Sequence, residues 1–207
     1  MTSTSTDAGL RACWSCQGPV TAAAPFCPTC KAVQPPAPLD PFARLGVAAS
    51  FTVDVPALDR AYFSLQRQLH PDRFATQGGR ARAFSQQQAA ALNDAYEAVK
   101  QPVARGAALL RLNGRKADFD GQGTVDDPAL LMEAMEMREA LMEAEDAAAV
   151  AALVTKADAD GKALIGEIAS AFEKSDFDTA EQGLLRLRYL ERFATEARAR
   201  RQKLAAA

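Results

Sequence analysis

Aromatic residues are scarce in this 207-residue chain, at 7%, although hydrophobic residues of all kinds reach 48%. Alanine is abundant, so the cores are expected to be helical, with helices in close approach. Alternating β-branched runs of useful length are missing beyond the extreme N-terminus, which argues against a sheet-based fold. No apolar run is long enough to span a bilayer. Charge of either sign is nearly balanced at −2, so there is no whole-chain electrostatic case for nucleic acid or a membrane surface. A phosphate-binding glycine loop is lacking, and the single histidine has no serine or cysteine nucleophile set beside it by spacing. Residues 1–12 are polar, lack the apolar core of a signal peptide and carry only Arg11 as a basic residue, so a soluble cytoplasmic protein is expected.

What is present separates into three segments. Residues 1–34 hold all four cysteines, as Cys13-Trp14-Ser15-Cys16 and Cys27-Pro28-Thr29-Cys30, with ten residues between the pairs. Two such turns can surround one ion tetrahedrally, so one structural zinc is expected on Cys13, Cys16, Cys27 and Cys30. Iron and disulfides are the alternatives; disulfides are disfavoured in a cytoplasmic protein, and a redox pair would sit on a βαβ unit that is missing here. Four cysteine ligands leave no open position for catalysis, and the metal would fold about thirty residues that cannot bury a core of their own. Gly18-Pro19 and Pro25 suit a small β-ribbon between the knuckles, and Trp14 and Phe26 are expected to pack over the metal. A proline-rich linker, residues 35–41, follows and is expected to be extended and semi-rigid.

From Asp40 onward the pattern is helical. Asp40-Pro41-Phe42 opens a short helix that stops at Gly46. Leu58, Tyr62, Leu65 and Leu69 share one face of a helix from Pro56 to Leu69. The lone histidine ends it, in His70-Pro71-Asp72. Proline fixes its own φ and biases His70 away from helical geometry, so the helix stops there and a short exposed loop presents an imidazole and a carboxylate. A third helix, about Ala81 to Lys100, buries Phe84, Ala91, Leu92, Ala95, Tyr96 and Val99. Pro102 opens a short fourth through Ala108, Leu109 and Leu112. A break from Asn113-Gly114 to Gly121-Gln122-Gly123 precedes three more helices, about Pro128–Glu145, Asp146–Lys174 and Asp176–Lys203, with Asp126-Asp127-Pro128 and Ser175-Asp176 as starts. Gly161 and Gly166 weaken the middle one.

At about 100° per residue, the first of these three carries two apolar stripes. Leu130, Ala134, Met137, Leu141 and Ala148 form a core stripe. Leu131, Met132 and Met135 lie on another side, beside Glu136, Glu139 and Glu143. A bundle helix needs only one stripe, and adaptable methionines beside carboxylates suit a protein-binding surface. The last helix repeats the pattern: Ala180, Gly183, Leu184, Leu187 and Leu190 on one side, Leu185, Tyr189 and Phe193 on another. Periodicity alone leaves open whether these second stripes are packed against other helices or free.

Residues 61–74, from Ala61-Tyr62-Phe63 through His70-Pro71-Asp72-Arg73-Phe74, resemble the second helix and loop of a J domain. Leu92-Asn93-Asp94-Ala95-Tyr96-Glu97-Ala98-Val99, with Pro102 and Arg105, resembles its third helix and exit. The resemblance implies that His70, Pro71 and Asp72 dock on a DnaK-type chaperone, with Asp72 meeting an arginine there. It also implies that Arg60, Arg67 and Arg73 meet an acidic chaperone surface, although Arg60 and Arg67 also suit an ordinary solvated face. J domains in general carry more lysines on the second helix, a departure that points to a dedicated chaperone or to weaker electrostatic steering. Leu130 to Glu139 and Leu187-Arg188-Tyr189-Leu190, following a J domain, resemble the HscB family of co-chaperones of iron–sulfur cluster assembly. That likeness, from Asp40 to the C-terminus, implies that Leu131, Met132, Met135, Glu136, Glu139, Glu143 and Tyr189 contact an IscU-type scaffold protein. The cysteine segment is similar to the extension of mitochondrial members, which makes the mitochondrial matrix an alternative compartment.

The expected fold is therefore mainly α: a small zinc ribbon (1–34), a J-domain finger (40–114) and a C-terminal three-helix bundle (124–207). The expected function is an adaptor that binds an IscU-type scaffold and stimulates an HscA/DnaK-type ATPase, with no chemistry of its own. A general J-protein for another client and a zinc or thiol redox protein are the competing readings. Lys31 and Arg11 are too few basic residues for the cysteine segment to bind nucleic acid.

Overall fold

In the computed structural model, residues 9–117, 119 and 127–206 are described; the break at Gly121–Gly123 and the start at Asp126 lie outside them. The chain forms two compact units, residues 1–100 and 101–207. The described residues are mainly helical, with one two-stranded sheet.

The first unit opens with β1 (Leu10–Ala12) and β2 (Pro19–Thr21), antiparallel, with Arg11 opposite Val20. Each cysteine pair closes the same turn. Gln17 N–H donates to the Cys13 carbonyl and Lys31 N–H to the Cys27 carbonyl, both at 3.0 Å. The return bonds also match: Cys13 N–H to Gly18 at 2.8 Å and Cys27 N–H to Ala32 at 2.9 Å. Gln17 and Lys31 both sit at positive φ, 61° and 62°. Residues 35–40 have no helix or strand, and Ala37 within them is buried. The Arg11 guanidinium donates to the Pro35 carbonyl at 3.0 Å, and that of Arg44 to the Ala37 carbonyl at 2.5 Å.

Helix α1 (Pro41–Leu45) starts under the Asp40 carboxylate, which accepts from Phe42 and Ala43 N–H, and ends at Gly46 with φ 68°. A left-handed C-cap of that kind favours glycine. Helix α2 (Val55–Leu69) is capped by Asp54, which accepts from Ala57 N–H at 3.1 Å. A single 3-10 turn, Pro71–Phe74, separates it from α3 (Gly79–Lys100). The two long helices run antiparallel. Tyr62 and Tyr96 stack at 4.1 Å, Tyr62 donates to Asn93, and Tyr96 donates to Asp59. Phe42, Leu58, Leu92 and Val99 are almost fully buried. Each such side chain contributes roughly 1.5–3 kcal/mol. Leu65, expected in this core, is only half-buried, because the stripe turns toward solvent between Tyr62 and Leu69.

The second unit contains α4 (Pro102–Leu112), α5 (Pro128–Glu143), α6 (Ala147–Glu173) and α7 (Phe177–Ala206). Asp127, Asp146 and Asp176 each accept from backbone N–H groups at the starts of α5, α6 and α7. These are the aspartate starts expected from sequence. Helices α6 and α7 form a long antiparallel pair around Val150, Val154, Ala157, Ala194 and Ala197. Glycine brings α4 onto α7: a Cβ on Gly106 would lie 2.4 Å from the Leu184 methyls, and Leu184 is fully buried. The α6 helix passes through Gly161 and Gly166 unbroken, and Gly161 is buried facing Leu187. One further expectation fails locally: Ala148 is exposed in the first turn of α6. Of the second stripe on α7, left open by periodicity, Phe193 is buried in the core. Phe193 packs with Leu141 and Val150 because α7 turns that side toward α5 and α6, which a wheel for one helix does not reveal. No helix among the described residues is long and apolar enough to cross a membrane.

Candidate functional site

Three candidate sites stand on this scaffold: the cysteine cluster, the His70 loop and the outer face of α5 with α7. The four Sγ atoms all lie within 4.8 Å of one another. Cys13–Cys30 and Cys16–Cys27 are 3.7 Å apart, and all four cysteines are free thiols. A tetrahedral ZnS₄ centre has S···S edges of about 3.8 Å, from a Zn–S bond of about 2.3 Å. The donor set therefore fits a metal ion, with zinc compatible. Cys13 and Cys27 are buried, while Cys16 and Cys30 are exposed. The Gln34 side-chain amide and Ser15 N–H both donate to Cys13 Sγ at 3.4 Å. Burial raises the Cys13 thiol, but backbone N–H groups of Cys16 and Ser15, with the neighbouring thiols, bring it down to about 6. The Cys13 and Cys27 thiols are thus both shifted toward the thiolate that a metal requires. The rings of Trp14 and Phe26, expected over the metal, instead meet the helices: Trp14 sits edge-on to Phe84 at 5.9 Å and Phe26 stacks on Phe74 at 6.5 Å.

Helix α2 stops at Leu69 because His70 takes extended geometry (φ −58°, ψ 130°) ahead of Pro71. The imidazole is 52% exposed and the Asp72 carboxylate 89%. Asp72 N–H donates to His70 Nδ1 at 3.3 Å, and Asp72 Oδ2 lies 3.5 Å from the same nitrogen. Asp72 thus brings both its N–H and its carboxylate to Nδ1 of the ring. Behind the loop, the buried Ser85 hydroxyl donates to the Leu69 carbonyl at 2.6 Å. That bond satisfies a helix-end carbonyl which would otherwise lack a partner. Arg60, Arg67 and Arg73 are all exposed. Phe63 lies between the two α2 arginines, at i+3 from Arg60 and i−4 from Arg67, and is 49% exposed.

On α5, Met132 and Met135 are 64% and 70% exposed, and Leu131 is exposed as well. Leu131, Met135 and the half-buried Tyr189 line one cleft of about 360 Å³ with Ala134, Met137, Arg138, Arg192, Phe193 and Glu196. Met132, Glu136, Glu139 and Glu143 are exposed outside that cleft. The lining carries two arginines and one glutamate, so the cleft itself is not acidic. Sequence reasoning passed over Met142, which is 71% exposed. Its signal was available: at i+7 from Met135 it lies about 20° away on the same helical stripe.

Residues 126–198 match the family model described as the HSCB C-terminal oligomerisation domain. The chain is 36% identical over 185 residues to the human iron-sulfur cluster co-chaperone protein HscB, covering 86% of this chain and 77% of that one. It is 34% identical over 158 residues to a co-chaperone protein HscB homolog of Paraburkholderia phymatum, covering 75% and 90%. The crystal structure of human HscB superposes with a TM-score of 0.82 at 34% identity, covering 91% of this chain and 97% of that one. By sequence over most of its length, and by the fold that carries these sites, the chain belongs to the HscB family of co-chaperones.

Proposed function

We propose that this protein is an adaptor in iron–sulfur cluster assembly. It binds an IscU-type scaffold on the outer face of α5 and α7, and brings it to an HscA/DnaK-type chaperone whose ATPase it stimulates through the His70 loop. The observation that carries this reading is the pairing, in one HscB-family chain, of an exposed, rigidly backed His70-Pro71-Asp72 loop with a methionine-rich face that its own bundle leaves uncovered. The loop supplies a hydrogen-bond donor and a carboxylate at fixed spacing, and Asp72 forms a charge-assisted bond with an arginine of the chaperone. Arg60, Arg67 and Arg73 steer an acidic surface toward it. Leu131, Met132, Met135 and Tyr189 form the apolar part of the scaffold contact, with Glu136, Glu139 and Glu143 at its rim. Methionine side chains repack around a partner at low cost, which suits a surface that must release its client.

Residues Cys13, Cys16, Cys27 and Cys30 hold one zinc ion, which supplies folding energy and performs no chemistry. The adaptor itself breaks no bonds. Holding client and chaperone together raises the effective concentration of one at the other. The proposed compartment is the cytoplasm, with the mitochondrial matrix as the second reading.

The test is steady-state ATP hydrolysis by the cognate chaperone with this protein, with and without scaffold. Synergistic stimulation is expected, and His70→Gln abolishes it while leaving scaffold affinity unchanged. Equal loss of both activities in His70→Gln would sink the separation of the two surfaces.

A further inference from the structure

The cysteine module does not stand apart from the His70 loop. Within the first compact unit it touches the loop segment through Phe26 and is tied to helix α3, which holds the end of α2 ahead of His70. On one side, Phe26, next to Cys27, stacks on Phe74, the last residue of the 3-10 turn that His70 opens, with the rings 19° from parallel. On the other, a line of buried polar contacts runs from the metal ligands to helix α3. The Gln34 amide donates to Cys13 Sγ and to the Ala32 carbonyl, and the Gln34 carbonyl accepts from the Gln88 amide at 3.0 Å. One helical turn earlier on α3, Ser85 holds the Leu69 carbonyl, the last residue of α2 before His70. Gln34, Gln88 and Ser85 are all at least nine-tenths buried. Between these points, Trp14 packs on Phe84, the Arg80 guanidinium lies 5.1 Å from the Trp14 ring, and the Trp14 indole N–H donates to the Val33 carbonyl at 2.7 Å.

Buried amides and hydroxyls are retained at a cost unless every polar atom finds its partner. Here Gln34 ties Cys13 to Ala32 within the module, Gln88 ties α3 to the module, and Ser85 ties α3 to the end of α2. The Gln34 side chain stays within the cysteine module, and the link outward is made by Gln88 of α3, whose side chain ends on the Gln34 backbone carbonyl. We propose that Phe26 and Gln88 are positioning residues for His70: the metal-organised module, joined to the loop and to α3 by these two side chains, holds the loop in its chaperone-competent geometry. This rests on the adaptor reading for its consequence but not for its structural content. When only a fraction of molecules has the competent loop, apparent affinity falls in proportion while the maximal effect is retained. Loosening the module therefore raises the concentration needed for half-maximal stimulation. Replacing His70 lowers the maximum instead.

His70 is the only histidine in the chain, so its ring NMR signals report the loop without ambiguity. The experiment compares the metal-loaded full chain with Phe26→Ala, Gln88→Met and Phe26→Tyr, after confirming that all four thiols remain protected in each. Phe26→Ala and Gln88→Met are expected to shift or broaden the His70 ring signals, and Phe26→Tyr, which keeps the ring, to restore them. In ATPase assays Phe26→Ala raises the half-maximal concentration by about tenfold, if the competent fraction falls to about a tenth, with the maximum unchanged. His70 signals unaltered in a metal-loaded Phe26→Ala would overturn the proposal, as would a lowered maximum at unchanged half-maximal concentration. If the unaltered protein stimulates no chaperone, the adaptor reading fails, and the His70 signals still decide whether the module positions the loop.

Discussion

The His70 loop and the α5 face are held in opposite ways. The loop is exposed at its tip and fixed from behind, by Ser85 on the Leu69 carbonyl and by Phe26 on Phe74. The α5 face has a well-packed back, with Leu130 and Leu141 buried, and a front of Met132, Met135 and Met142 that its own unit leaves uncovered. One surface presents a few polar atoms whose spacing must not drift. The other presents soft apolar area whose shape is free to follow a partner. On the proposed function the first would act as a trigger, which needs preorganisation, and the second as a reversible docking face, which needs adaptable side chains.

The comparison breaks most severely at the cysteines. Metal removal, or Cys27→Ser, is expected to unfold the segment around β1 and β2, because a structural zinc contributes on the order of 10–16 kcal/mol to a module of this kind. Thiol titration before and after chelation checks this: four protected thiols become four reactive ones, and the α5–α7 unit keeps its thermal transition. A smaller effect sharpens the front and back of α5. Leu141→Ala is expected to lower stability by about 2–5 kcal/mol, through lost transfer energy and a cavity beside Phe193 and Val150. Met132→Ala with Met135→Ala is expected to leave the denaturation midpoint nearly unchanged and weaken scaffold binding by tenfold or more, about 1.4 kcal/mol. Comparable unfolding in both variants would make the methionine face structural. The smallest effect lies at the Arg186–Glu133 pair, bidentate at 2.7 and 2.9 Å but half-exposed. Glu133→Gln is expected to lose less than about 1 kcal/mol by denaturant titration, and less still at high salt.

Local chemistry was legible because its causes are local. Asp40, Asp54, Asp127, Asp146 and Asp176 announced helix starts, since a carboxylate accepting from free N–H groups acts within four residues. The stop at His70 followed from Pro71, and the cysteine spacing anticipated the cluster. Ala148 was misread because α5 ends at Glu143 and Ala148 belongs to α6, so the α5 wheel does not reach it. The place of Phe193 was not legible because a wheel gives the angle between two side chains but not which angle faces a neighbouring helix. The turning outward of Trp14 and Phe26 was equally hidden, because their partners Phe84 and Phe74 lie more than forty residues away in sequence.

The sequence by itself determined the helices, their caps, the two matched cysteine turns and the exposed tripeptide, since each depends on spacing or on side chains a turn away. Only the tertiary structure decided that α4 packs on α7 through Gly106, that Met142 stays uncovered, and that Phe26 beside the cysteine turns stacks on Phe74 while Ser85 of α3 holds the Leu69 carbonyl. Those outcomes depend on which surfaces meet after the chain has closed, where burial and hydrogen bonding across long sequence separations outweigh any local preference.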